Sequence, residues 1–161
     1  MELIAIRKAV LADLDTLLEF EQGIVAAERP FNVTMKDGSI HYYDIEAMIN
    51  SPEVEVLVAT VNGEAVGSGY ARIENAKPYL KHGKHAYLGF MYVKPEHRGK
   101  GINQRIIAAL KAWAYLQDVK ELRLDVYDEN TSAVNAYEKA GFERHLLHMR
   151  MNVDDDLTLH V

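Results

Sequence analysis

The order of apolar and polar side chains along the chain predicts six strands and four helices. Alternating or continuous apolar runs are typical of strands, and apolar residues that recur every three or four positions are typical of helices. The predicted strands cover residues 3–7, 54–61, 65–73, 86–93, 122–127 and 146–153. The predicted helices follow Asp13, span 43–50, begin near Gly101 and span 133–140. This order predicts an α/β layered fold with at least one parallel crossover.

Residues typical of turns, helix ends and buried strands give the clearest local predictions. Asn62-Gly63 lies between two apolar runs, which is typical of a two-residue β-hairpin. Pro30 interrupts the first helical pattern, so residues 31–41 are predicted to form a loop. Gly141 is a natural C-terminal stop for the last helix. Residues 86–93 are apolar on both faces, which predicts a central, fully covered strand.

Composition narrows the class of protein. The 161 residues suit one domain over 1–161, with a short acidic tail from about residue 154. The absence of cysteine excludes disulfides, thiolate metal sites and a cysteine nucleophile. No apolar run approaches the roughly 18–20 residues that span a bilayer, and the first residues do not resemble a secretory signal. We therefore expect a cytoplasmic protein with no membrane partner.

The charge distribution disfavours nucleic acid as a partner and favours a local anion site. The net charge is −6, which disfavours nucleic acid as a partner because nucleic-acid binding needs a basic surface. Within residues 94–105, however, four basic side chains accompany one acid, Glu96. The basic residues are Lys94, Arg98, Lys100 and Arg105. The sequence therefore predicts a local anion site.

Two glycines lie inside this basic segment, immediately before a predicted helix. Gly99 and Gly101 let the backbone approach a ligand closely, and the helix start adds unpaired N–H groups, so a pyrophosphate would fit. A tight turn with solvated charges explains the same residues. Two other phosphate motifs fail, because Gln104 replaces the third small residue of the dinucleotide fingerprint and Lys100 is not followed by Ser or Thr.

Two blocks of this sequence resemble the GNAT superfamily of N-acetyltransferases. The first is Val93-x-Pro95-x-x-Arg98-Gly99-x-Gly101-Ile102, and the second is Asn130-x-x-Ala133-x-x-Ala136-Tyr137-x-x-Ala140-Gly141-Phe142. The resemblance implies the acyl-CoA N-acyltransferase fold. That fold is a mixed, mostly antiparallel central sheet with a splayed parallel strand pair, flanked by about four helices.

The resemblance implies an enzyme that uses acetyl-CoA. It would move an acetyl group to a primary amine of a small molecule or protein by direct attack in a ternary complex. A non-catalytic acetyl-CoA-binding or regulatory module of the same fold is the alternative. The identity of the amine and the use of longer acyl groups stay open.

The resemblance also assigns cofactor contacts, residue by residue. Backbone groups would hold the pantetheine arm and the pyrophosphate, Asn130 would reach the cofactor, and Tyr137 would point its phenol at the sulfur. The implied contacts are Met91, Tyr92, Val93, Arg98, Gly99, Lys100, Gly101, Ile102, Asn103, Asn130, Ala133 and Tyr137. Asn103 departs from the pattern, where a small residue is more usual. Tyr137 would act as general acid to the coenzyme A thiolate.

For the catalytic base and the acceptor site, the sequence gives only sets of candidate residues. The base is His85, Tyr87 or Glu74. An acidic pocket for a cationic amine, or a site for an amino-acid-like acceptor, would draw on Glu21, Glu28, Arg29 and Tyr42.

Two further expectations concern partners. We expect no metal site, because the pairs His82/His85 and His145/His148 have no third ligand nearby in the sequence. A homodimer is predicted as one option, through an exposed edge of the C-terminal strand.

Overall fold

A five-stranded sheet forms the centre of the structure, a computed structural model that describes residues 1–153. In order across the sheet the strands are β1 (Ile4–Lys8), β2 (Val54–Val61), β3 (Glu64–Asn75), β4 (Lys84–Val93) and β5 (Leu122–Arg123). β1 to β4 pair antiparallel, and β5 pairs parallel with β4. The predicted mixed, mostly antiparallel sheet is therefore confirmed.

Four α-helices flank the sheet in the part of the chain that the structure describes. They are α1 (Leu14–Glu28), α2 (Ile45–Asn50), α3 (Ile102–Leu116) and α4 (Thr131–Lys139). None of the helices in residues 1–153 has the length and apolar content needed to cross a bilayer. The predicted acidic tail from about residue 154 lies outside the described residues.

The strand period of two builds a core on each side of the sheet. In β2, Leu57, Ala59 and Val61 pack in the cluster that contains α3, whereas Val56 and Val58 pack in the cluster that contains α1 and α2. All five side chains are buried, so β2 is covered on both faces. Because each face buries apolar area, the sheet separates two hydrophobic cores.

The hairpin between β2 and β3 confirms the Asn62-Gly63 prediction. Asn62 has φ 50° and Gly63 has φ 87°, and two successive positive φ angles are typical of a type I′ turn. The Asn62 side chain also accepts a hydrogen bond from the Leu3 N–H at 2.9 Å, which ties the turn to β1.

β4 carries a β-bulge that the sequence pattern does not predict. Tyr70 of β3 lies opposite Gly89 and Ser68 lies opposite Tyr92, so β4 has one extra residue between these pairs. Phe90 takes φ 57°, and its carbonyl accepts a hydrogen bond from the buried Ser68 hydroxyl at 2.9 Å.

The bulge exchanges the faces of β4. Leu88 packs in the α3-side core, but Phe90, two residues later, packs in the α1-side core. The prediction of a fully covered strand is only partly correct, since Tyr87, Gly89 and residues 91–93 are half-buried.

β4 and β5 pair over a very short distance. The paired positions are Ala86 with Leu122 and Tyr87 with Arg123. The predicted strand over 122–127 is therefore too long, because beyond Arg123 it has no ladder with β4 in the described chain. The predicted splay of the parallel pair begins at this point.

The predicted last strand over 146–153 is wrong. These residues form no strand in the described part of the chain, and apolar side chains such as Leu146 and Met149 are 88% and 80% exposed. Alternation alone does not make a strand, because a strand also needs a partner that completes its hydrogen bonds. The predicted C-terminal strand edge is therefore absent, and the homodimer stays a prediction.

Candidate active site

A cavity of about 280 Å³ opens where β4 and β5 diverge. Its walls come from α1, the loop after α1, β3, β4, the segment after β5, and α4. Its carboxylates, phenols and thioether include Glu28, Tyr42, Tyr87, Met91, Asp125 and Tyr137. The fold thus brings side chains that lie between positions 24 and 137 of the sequence together around one cavity.

Tyr137 enters the cavity from α4. Asn130 caps the start of this helix by accepting a hydrogen bond from the Ala133 N–H at 3.3 Å. Gly141, at φ 106°, ends the helix, and the Phe142 ring lies edge-on to the Tyr137 ring with centroids 5.9 Å apart. The second sequence block therefore builds and orients the helix that carries Tyr137.

Burial is the main influence on the Tyr137 phenol. It raises the pKa of Tyr137 to about 12, and the negative charge of Glu28 adds to the effect. The phenol consequently stays protonated at neutral pH and can donate a hydrogen bond into the cavity.

Glu28 and Tyr42 form a hydrogen-bonded pair on the part of the cavity wall that α1 and the loop after it provide. The Tyr42 hydroxyl donates to Glu28 Oε2 at 2.8 Å. Burial raises the pKa of Glu28, and the bond from Tyr42 partly opposes that rise. The pKa of Tyr42 is also raised, first by burial and then by Glu28, so Tyr42 acts as a hydrogen-bond donor.

Tyr87 and Asp125 form a second such pair. The Tyr87 hydroxyl donates to Asp125 Oδ2 at 3.1 Å. Burial raises the pKa of Tyr87, and the Asp125 charge raises it further. This phenol is therefore a poor base, although sequence analysis named it as a candidate. Asp125 was missed, although it occupies a polar position in the alternating 122–127 segment.

The other two base candidates are not among the cavity-lining residues. His85 is buried, with Nε2 at 3.3 Å from Glu74 Oε2. Glu74 is also bound by Arg72, at 2.5 Å and 3.0 Å. Arg72 itself lines the cavity, with its guanidinium 5.5 Å from the centre of the Tyr87 ring.

Two predicted acceptor residues hold a loop instead of facing the cavity. Glu21 is fully buried, accepts the N–H groups of Tyr42 and Tyr43 at 2.9 Å and 3.0 Å, and lies 2.8 Å from the His41 ring. Arg29 donates to the carbonyls of Lys36 and Gly38. These bonds fix residues 36–43 over α1. They leave Glu28 and Tyr42 as the predicted acceptor residues that the fold brings to the cavity.

The predicted phosphate loop follows β4 and ends at α3. Gly99 and Gly101 have φ 77° and 76°, and Gly101 is the N-cap of α3. The first α3 bond runs from the Arg105 N–H to the Gly101 carbonyl, so the preceding amides at the helix start have no intrahelical acceptor. A Cβ added at either glycine would meet no heavy atom within 4 Å, so the space beside the loop is open.

The basic side chains of this segment are already engaged. Each one contacts an acid or a backbone carbonyl within the described residues. The contacts are Lys94 with Glu64 (3.1 Å), Lys100 with Glu2 (2.8 Å), Arg98 with the Val93 carbonyl (3.1 Å) and Arg105 with the Ile4 carbonyl (3.0 Å). The local excess of positive charge is therefore partly neutralised, and the backbone amides are the main groups free to bind an anion.

Between the loop and the cavity, β4 offers a free backbone edge. Residues 88–93 have no β5 partner in the described chain, so their outward N–H and C=O groups, apart from the Val93 carbonyl bound by Arg98, can bind an extended ligand as a strand would. Met91, Tyr92 and Val93, named by sequence analysis, belong to this edge.

Comparison with known proteins places these features in a family. The family model described as "Acetyltransferase (GNAT) family" matches residues 22–142. An acetyltransferase from Pectobacterium atrosepticum is 33% identical over 100 residues, which span 62% of this chain and 65% of that protein, just under two thirds. An N-alpha-acetyltransferase from Sulfurisphaera tokodaii is 28% identical over 143 residues, 86% of this chain and 79% of that protein.

Solved structures share the fold at low sequence identity. A tetramutant of a Bacillus halodurans protein superposes with a TM-score of 0.82 and 20% identity, over 92% of this chain and 99% of that one. A predicted acetyltransferase from Clostridium acetobutylicum, solved with acetyl-CoA, gives a TM-score of 0.71 and 19% identity over 93% and 96% of the two chains. With the family match covering most of the chain, this protein belongs to the GNAT family of acetyltransferases.

Proposed function

We propose that this chain transfers the acetyl group of acetyl-CoA to a primary amine by direct attack in a ternary complex. The observation that carries the proposal is the continuity of three features. An amide-lined loop with open space beside it leads along the free edge of β4 to a cavity of carboxylates and phenols. The acetyl-CoA bound to the Clostridium relative and the activity named for the Sulfurisphaera relative support it.

The residues present fit acetyl-CoA. The amides from Gly99 to Asn103 suit a pyrophosphate, and glycine at 99 and 101 is needed because each has positive φ. The pantetheine arm would pair with the β4 edge at Met91 to Val93. Asn130 would contribute by capping and orienting α4, since its side-chain oxygen already binds the Ala133 N–H.

When bound, acetyl-CoA supplies a thioester carbonyl, to which the amine nitrogen forms a C–N bond while the C–S bond breaks. Glu28 is the group that takes the amine proton, because it lines the cavity, keeps Oε1 free of the Tyr42 bond and has a raised pKa. With Asp125 it also attracts a cationic acceptor. This assignment replaces His85, Glu74 and Tyr87 as the base.

In the same reaction, Tyr137 faces the sulfur atom of acetyl-CoA. A thiol has a reference pKa of about 8.5, so full proton transfer from a phenol with a pKa of about 12 to the thiolate is unfavourable. Tyr137 therefore stabilises the departing thiolate mainly by donating a hydrogen bond, and the proton follows from it or from solvent.

The test begins with acetyl-CoA alone. At about 100 times Kd, a bound ligand adds roughly 2.7 kcal/mol of stability, which for this size of protein raises Tm by about 5–10 °C. Gly99→Ala strains the loop and should reduce the shift. Gly38→Ala is the matched control, because Gly38 has φ 83° and equally open surroundings in the loop after α1.

Turnover is then measured as release of free thiol with a panel of amines, including polyamines, amino acids, aminoglycosides and peptide N-termini. Tyr137→Phe should lower turnover about 100-fold and leave the acetyl-CoA shift nearly unchanged. No shift with acetyl-CoA would overturn the proposal. A shift without turnover on any amine would instead indicate a non-catalytic acetyl-CoA-binding module.

A further inference from the structure

Three side chains from separate segments meet outside the cavity described above. His82 lies in the loop between β3 and β4, His85 lies near the start of β4, and Glu121 immediately precedes β5. One potential ligand atom from each lies within 4.8 Å of the other two. His82 Nε2 is 3.3 Å from Glu121 Oε2, and the two imidazole centroids are 6.2 Å apart.

Two nitrogens of this cluster are buried without a hydrogen-bond partner in the described chain. They are His85 Nδ1 and His82 Nε2, whose 3.3 Å contact with Glu121 Oε2 does not have hydrogen-bond geometry. The His85 side chain is only 10% exposed, so water reaches it poorly. A buried polar atom that makes no bond costs free energy, and a cation between these two nitrogens and a carboxylate would satisfy both of them.

A carboxylate holds Nε2 of His85, as carboxylates hold the second imidazole nitrogen of histidines in metal sites. His85 Nε2 lies 3.3 Å from Glu74 Oε2, and Glu74 Oε1 accepts two bonds from Arg72. A carboxylate on one imidazole nitrogen fixes the ring and directs the other nitrogen, here Nδ1, toward a metal. Arg72 and Glu74 thus orient a ligand that is already in place.

We propose that His82, His85 and Glu121 bind a divalent transition metal of the Zn²⁺ class, with a fourth position left for water. Two imidazoles and a carboxylate are donors that Zn²⁺ accepts, at about 2.0–2.2 Å. Tetrahedral donors at that distance are about 3.4 Å apart, so rotations of the side chains close the present spacing of up to 4.8 Å. Arg123 holds Glu121 Oε2 at 2.5 Å, the oxygen that also lies 3.3 Å from His82 Nε2, so the Glu121 carboxylate is oriented beside the two imidazoles.

The position of the cluster assigns the metal a structural role. It joins the β3–β4 loop, β4 and β5 beside the Ala86–Leu122 pair, where the two parallel strands have only two paired positions. None of the three ligands lines the cavity. The metal therefore stabilises the closed end of the splayed pair and takes no part in acetyl transfer.

The test uses the full chain, freed of metal by a chelator and without acetyl-CoA. Titration with Zn²⁺ by calorimetry should give one site per chain and raise Tm. Co²⁺ should bind at the same stoichiometry, with the visible absorption bands of a four-coordinate ion. His82→Gln and His85→Gln should each weaken binding by more than the roughly 10–100-fold expected for Glu74→Gln, which removes only the orienting carboxylate.

His145→Gln/His148→Gln is the matched control. This pair has the same spacing of three residues, but both side chains are exposed. Its affinity for Zn²⁺ should equal that of the unmodified chain. The proposal fails if the unmodified chain shows no stoichiometric Zn²⁺ or Co²⁺ binding, if His82→Gln and His85→Gln bind as tightly as it does, or if the control loses the site.

Discussion

Glu28 is the residue whose protonation should control the reaction. An acceptor for the amine proton must be ionised, and burial raises the pKa of Glu28, so kcat/KM should fall as pH is lowered through a range above that of an ordinary glutamate. The bond from Tyr42 lowers that pKa, so Tyr42→Phe should raise it and move the acidic limb to higher pH. The measurement is the pH dependence of kcat/KM with one acceptor.

The same profile separates this role from simple acceptor binding. Glu28→Gln should remove the acidic limb assigned to Glu28 and lower kcat by about 10²–10⁴-fold. Tyr79→Phe is the control, because Tyr79 is 83% exposed and should leave the limb in place. A loss confined to acceptor KM, with an unchanged limb, would show that Glu28 binds the amine but is not its base.

Two of the acids of α1, Glu21 and Glu28, show what residue-level reasoning can and cannot reach. Glu21 and Glu28 are seven residues apart, so helical spacing places them on similar faces. Glu21 is fully buried because the backbone of Tyr42 and Tyr43 covers it, whereas Glu28 faces the cavity. The loop that separates their roles lies about 20 residues away, beyond the reach of a local pattern.

At the scale of elements, the β4 bulge shapes the cavity. A Cβ added at Gly89 would lie 2.6 Å from the ring and hydroxyl of Tyr70, which is itself only 2% exposed. Gly89→Ala should therefore cost about 1–3 kcal/mol of stability, as overpacked cores do. It should also lower activity by displacing Tyr70 in the cavity wall. Denaturant unfolding and kcat/KM measure the two effects.

The β3–β4 loop provides the matched substitution. A Cβ at Gly83 would meet no heavy atom within 4 Å, and Gly83 is not among the residues with positive φ. Gly83→Ala should be neutral or slightly stabilising. Equal effects of the two substitutions would contradict the close approach of Tyr70 to the β4 backbone.

Elements that begin or end at turn or helix-capping residues could be predicted from the sequence. β2 has the predicted bounds, the Asn62-Gly63 hairpin is confirmed, and α4 lies between Asn130 and Gly141. The errors concern segments whose strand structure depends on pairing with another strand. β5 stops at Arg123 and residues 146–153 form no strand, because apolar alternation does not reveal whether a neighbouring strand is available.

On the scale of the molecule, the loop and the helix of the candidate site could be predicted from the sequence, but the cavity could not. Gly99, Gly101 and Tyr137 lie in local motifs that the sequence displays. Asp125 and the meeting of His82 and His85 with Glu121 depend on the parallel crossover through α3, which brings β5 beside β4. Long-range contacts of that kind carry no local signature in one sequence.

The sheet divides the proposed site between its two cores, which predicts separable effects of distant core substitutions. Leu110, a residue of α3, packs in the core on the α3 side of the sheet, and Leu17, a residue of α1, packs in the core on the α1 side. Both side chains are 0% exposed, so Leu110→Ala and Leu17→Ala should each cost about 2–5 kcal/mol. Measured well below Tm, Leu110→Ala should mainly weaken acetyl-CoA binding.

Leu17→Ala should mainly raise acceptor KM, because α1 carries the acceptor wall of the cavity. Each variant serves as the control for the other, since the deleted groups are identical and equally buried. Isothermal titration with acetyl-CoA and initial rates at varied acceptor concentration give the two affinities. If both variants weakened both ligands equally, the sheet would not partition the site, and the phosphate loop and the cavity would respond to packing as one unit.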